Sequence, residues 1–119
     1  MKGSVCRSAG LEPSEALEID RRRAKLTQAQ AAALYGVGLT TFRAWAAGKR
    51  THDVPVVPVE PLAVHEWCWL QRRRSGLRLV DVSAEIGLGV RWVHKAERGA
   101  IPLRSLGPLE TFWRRRVVA

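Results

Sequence analysis

Cysteine is nearly absent: Cys6 and Cys68 are the only two in 119 residues. Two thiols cannot build a disulfide framework, and reduced cysteine is the default expectation. Histidine is as sparse. His65 and Cys68 stand one helical turn apart and would suit two ligands of one metal, but no third or fourth ligand is visible beside them. No metal or other cofactor is expected. No apolar run approaches the roughly 20 residues of a membrane span, and no hydrophobic signal region follows Met1-Lys2. These absences point to a soluble cytoplasmic protein with no membrane partner. There is also no nucleophile–base–acid set and no phosphate-cradling glycine loop, so neither an enzyme nor a small-molecule substrate is expected. Acidic residues are scarce too, 11 against 20 Lys and Arg, for a net charge of +9. That balance implies a polyanionic partner, most often nucleic acid and less often an anionic membrane surface. Residues 1–50 carry nine basic and four acidic groups, and residues 51–119 carry eleven and seven. No separate basic tail exists, so the charge belongs to a folded surface.

Helical patterning fills most of the chain. Residues 1–12 lack periodicity and are expected to form a flexible N-terminus. A first helix is predicted over 13–25, with Ala16, Leu17, Ile19 and Ala24 as its apolar positions and Arg21, Arg22, Arg23 and Lys25 at its end. Thr27 and Gln30 then fit a capping box opening a second helix, whose Ala31, Ala32 and Tyr35 recur at core spacing. Gly36-Val37-Gly38 breaks that helix, and Val37 would plug the corner. A third helix over 40–47 turns Phe42 and Trp45 inward and stops at Gly48. This layout is that of a DNA-reading helix-turn-helix.

Three prolines (Pro55, Pro58 and Pro61) make 51–61 a stiff extended linker, whose valines need something to pack on. Another helix follows over 62–74, with Leu62, Val64, Trp67, Cys68 and Leu70 apolar, and a short closing helix starts near Pro108, anchored by Leu109, Phe112 and Trp113.

An internal repeat joins these pieces. The runs Arg21–Arg23 and Arg72–Arg74 lie 51 residues apart, and the offset carries onward: Leu26 to Leu77, Gly36 to Gly87, Gly38 to Gly89, Phe42 to Val93, Gly48 to Gly99. Residues 77–99 therefore form a second helix-turn-helix. The expected fold is all-α: two small tandem helix-turn-helix repeats, 13–50 and 62–119, fused through a shared or linking helix.

Both copies resemble the Cro/phage-repressor (Xre-like) family. The match lies in Leu26-Thr27-Gln28, Gly36-Val37, Thr41-Phe42, Trp45 and Gly48, and again in Gly76-Leu77, Gly87-Leu88, Val93 and Glu97-Arg98-Gly99. It covers under half the chain. The resemblance implies a compact bundle whose third helix enters the major groove, with Gln28 facing a phosphate at a helix N-terminus. Leu39, Thr40, Arg43 and Ala44 would lie at or near the base-facing surface, and Thr41 is also counted among the DNA contacts. Arg43 suits guanine O6 and N7, while Lys49 and Arg50 would hold backbone. In the second copy, Val90, Arg91, His94 and Lys95 form the corresponding surface. There Leu79 replaces the phosphate-facing glutamine and Trp92 stands where Thr41 does, so that copy has two readings: DNA contact, or packing and dimerisation.

The implied function is a sequence-specific double-stranded DNA-binding transcriptional regulator, a repressor of bacterial, phage or mobile-element genes. One chain would read two half-sites, or a homodimer would present four. The alternatives are a protein-interaction module of antitoxin or anti-activator type on the same scaffold, and non-specific architectural binding. The three arginine runs have two readings as well, phosphate clamps or solvated helix ends. Trp45, Trp67, Trp92 and Trp113 are expected in cores rather than as base-stacking platforms.

Overall fold

A computed structural model describes residues 5–6 and 10–118. The chain divides into two compact units, residues 8–60, and residues 61–119 together with residues 1–7. The first unit holds α1 (Pro13–Ala24), α2 (Gln28–Tyr35) and α3 (Leu39–Ala46). The second holds β1 (Val5–Cys6), β2 (Leu62–Ala63), α4 (Val64–Ser75), α5 (Leu79–Ile86), α6 (Val90–Glu97) and α7 (Gly107–Val118), with a 3₁₀ turn at Leu103–Ser105. The protein is thus mostly helical.

Two details differ from the sequence expectation. A minimal antiparallel ladder pairs Val5 with Ala63 and Cys6 with Leu62. Two residues per strand are too few to leave a period-2 signal. The rest of the expected flexible stretch up to residue 9 lies outside the described residues. Secondly, no described helix is shared between the two units: α4 belongs to the second, and 51–60 is non-helical chain of the first. Its prolines forbid helix, and its valines do pack. Val59 is buried, and Val54 and Val57 lie against the core of Leu17, Ala31, Ala32, Phe42, Trp45 and Ala46. Val56 stays exposed.

The 51-residue offset holds at both ends of three helix pairs, α1 with α4, α2 with α5, and α3 with α6. The same local devices recur with it. Glu15 accepts from the Glu12 N–H at 2.9 Å, and Glu66 accepts from the Ala63 N–H at 2.9 Å. These reach-back carboxylates satisfy an orphan donor at each helix start. Arg21 donates to the Leu26 carbonyl at 2.6 Å, and Arg72 donates to the Leu77 carbonyl at 3.2 Å, so each ties a helix C-terminus to the turn that follows. Lys25 and Gly76 both take left-handed backbone after the first helix of their unit. The Val37 N–H returns to the Ala32 carbonyl across left-handed Gly36, closing α2.

Beyond Gly48 and Gly99 the units diverge, and their cores compensate. The first unit places Trp45 on α3 and covers it with the extended valines. The second has Ala96 at the matching position and fills the space from α7 with Leu109 and Trp113, both about fully buried. Each core thus buries a tryptophan, supplied by the third helix of the first unit and by α7 in the second.

Candidate nucleic-acid interface

The geometry of each site starts from its turn. Thr27 caps α2 by accepting from the Gln30 N–H at 3.1 Å, while the Gln30 amide accepts from the Thr27 N–H at 2.8 Å. Gln28, the first residue of α2, is half-buried. Gly36 then closes α2 and Gly38 opens α3. Phe42, Trp45 and Ala46 are buried, which fixes the rotation of α3 and leaves Thr40, Arg43 and Ala47 exposed along its opposite face. Leu39, Thr41 and Ala44 are half-buried at its margins. Tyr35, expected in the core, sits at its edge: it is 36% exposed, with its ring 6.2 Å from both Phe42 and Trp45. Burial and then Asp20 raise its hydroxyl above the ordinary tyrosine value.

The candidate residues of the first unit have different fates. The Arg43 side chain is exposed and has no hydrogen bond or ion pair among the described residues, and Lys49 is likewise open. Arg50 is engaged. Its guanidinium grips both Asp53 carboxylate oxygens, and Asp53 also accepts from the Trp45 indole N–H at 2.9 Å. Arg50 first, then Trp45, hold the Asp53 carboxyl well below the usual carboxylate range. Arg50 therefore anchors the loop after α3 to the core tryptophan.

In the second unit, α5 opens with Arg78, whose guanidinium and backbone N–H hold Asp81 below the usual carboxylate range. The Ser83 hydroxyl donates to the Leu88 carbonyl and fixes the turn into α6. Val93, Ala96 and Glu97 point inward. Arg91, His94 and Lys95 are exposed on the opposite face, and Arg98 extends the same stripe. Arg98 is not among the contacts expected from the resemblance, although its place seven residues after Arg91 is a signal that finds it. Leu79 and Trp92 are half-buried and pack against the core of the second unit. Their apolar character thus serves packing.

The arginine runs split by position. Arg21 pairs with Glu18 at 2.8 Å, Arg23 donates to the Val59 carbonyl, and Arg72 pairs with Glu97 at 2.7 Å. Arg114 pairs with Glu110 at 2.9 Å and stacks 4.7 Å from the Trp67 ring centroid. Much of this charge is internal structure. Four tryptophans (Trp45, Trp67, Trp69 and Trp113) are buried and do not offer a stacking platform.

Cys68 is a buried free thiol, and no group of three or more metal-ligating residues is placed together among the described residues. No helix among the described residues is long and apolar enough to cross a membrane. Comparison with known proteins gives no match, for no family model, no curated protein and no solved structure matches the chain.

Proposed function

We propose that this chain is a sequence-specific double-stranded DNA-binding regulator built from two tandem helix-turn-helix units of the Cro/phage-repressor type. It would act in the cytoplasm as a repressor of bacterial, phage or mobile-element genes. One observation carries the reading. After the same glycine turn, α3 and α6 each bury one face and turn the other outward, and the outward faces bear cations without side-chain partners among the described residues: Arg43 on α3, and Arg91 and Lys95 on α6, with the His94 imidazole between them. A folded protein of net charge +9 that keeps these groups open fits a polyanion. Gln28, Leu39, Thr40, Thr41 and Lys49 flank the first of these helices and would position phosphate or base edges. Arg50 contributes indirectly, by holding the loop.

Duplexes selected from a random library test the proposal. Arg43→Ala is expected to erase preference for the selected site, with a cost of about 1–3 kcal/mol on that site alone. Unchanged affinity and preference in that variant would remove α3 as the reading helix.

A protein-interaction role on the same scaffold has one observation of its own. Leu34 is 75% exposed and lines a small groove of about 110 Å³ with Leu17, Leu26, Ala31 and Tyr35 and the charged Asp20 and Arg21. No retention of any duplex at low salt would favour that role.

A further inference from the structure

The outward face of α6 carries more positive charge than a reading helix requires. Arg91, His94, Lys95 and Arg98 fall at helical spacings of three, four and seven, so they form one stripe, and all are exposed. None has a side-chain partner among the described residues. Nearby carboxylates do not balance them. Glu97 is buried against Arg72, Glu110 pairs with Arg114, Asp81 pairs with Arg78, and Glu66 accepts the Ala63 N–H. Glu85 is the exposed carboxylate left on α5.

Helix stability does not account for the stripe either. Lys95 and Arg98 sit at the negative end of the helix dipole and favour it. Arg91 stands in the first turn, where a cation opposes the dipole, and no acidic residue in that turn offsets it. The matching positions of α3 are Thr40, Arg43, Ala44 and Ala47, with a single charge among them. The two helices share a frame and differ in chemistry. Base edges are read by a mixture of forked donors, hydroxyls and apolar contacts, as Leu39, Thr40 and Arg43 supply. A row of like charges spanning about 10 Å of helix suits successive phosphates instead.

We propose that α6 is a phosphate anchor, with Arg98 among its contacts, that grips duplex DNA without regard to sequence and leaves base reading to α3. This rests on the DNA-binding reading above. The test uses the intact chain, a selected duplex and a scrambled duplex of equal length. The double variant Lys95→Gln with Arg98→Gln is compared with the parent and with Arg43→Ala. These side chains are exposed and have no side-chain partner among the described residues, so the double variant is expected to stay folded, with a melting midpoint lowered only slightly by the lost dipole interactions.

Its affinity should fall by the same factor on both duplexes, and its slope of log K against log salt should shrink by about two. Arg43→Ala should instead compress the ratio between the duplexes. A double variant that changes that ratio while keeping the parent slope would make α6 a base reader and overturn the anchor. An unchanged slope and affinity would take α6 off the duplex, and so would retention by phosphatidylserine vesicles through the same two residues without any effect on duplex binding. A parent chain that binds neither duplex would overturn the DNA-binding reading itself, and the anchor with it.

Discussion

Arginine plays at least three physical roles in this chain, and burial separates them. Arg72 is the structural extreme. Its guanidinium holds Glu97, which is 2% exposed, and also reaches the Leu77 carbonyl. Removing one partner of a buried pair strands the other charge, so Arg72→Ala is expected to destabilise the second unit by about 3 kcal/mol. Thermal unfolding followed by circular dichroism checks this, and a loss under about 1 kcal/mol would place the pair among ordinary surface ion pairs. Arg50 and Asp53 are such a surface pair, and their effect is correspondingly small. The Asp53 carboxyl is held below its usual value, so it stabilises the fold above its unfolded pKa of about 4 and loses that contribution as the pH falls further. Asp53→Asn should therefore lower the melting midpoint slightly at pH 7. The gap to the parent should close as the pH drops below about 4, and a gap independent of pH would assign the effect to something other than charge.

At the scale of the element, the repeated cap is the main device. Left-handed backbone after the first helix is filled by Gly76 in one unit and by Lys25, with φ of 58°, in the other. A side chain in that region costs about 1 kcal/mol or more, partly offset by the greater freedom of glycine in the unfolded chain. Lys25→Gly is thus expected to stabilise the first unit by about 0.5–1 kcal/mol. A destabilised variant would show that the Lys25 side chain contributes more than its backbone costs. Helix bounds and caps are legible in the sequence, because Gly36, Gly38 and Thr27 impose local conformations that need no tertiary context. The 51-residue register also aligns Lys25 with Gly76, and a glycine at the matching place is a mark of left-handed backbone at position 25. Other features are not legible. Three adjacent arginines read alike as letters, yet Arg21 and Arg72 reach the following turn because the helix rotates each residue by about 100°. The tie from Trp45 to Asp53 crosses a non-helical loop and follows no periodicity. The second unit has Ala96 at the position matching Trp45 and buries Trp113 from α7 in its core, which the repeat register alone does not reveal.

For the molecule as a whole, two similar units carry outward faces of different character. The first is nearly uncharged apart from Arg43, and the second is densely cationic. On the proposed reading, the expected base and phosphate contacts of the first unit are Gln28 and Arg43. The open stripe on α6 shifts weight to the second, where Leu79 and Trp92 are engaged in the core rather than lost from a surface. The central claim is that these open cations meet a nucleic-acid duplex. Its most direct test is retention of random genomic duplex by the intact chain as salt is raised. Binding at low salt that falls by tenfold or more between about 50 and 200 mM is the expected result, since several phosphates would be neutralised together. A chain that retains no duplex even at the lowest salt would contradict it.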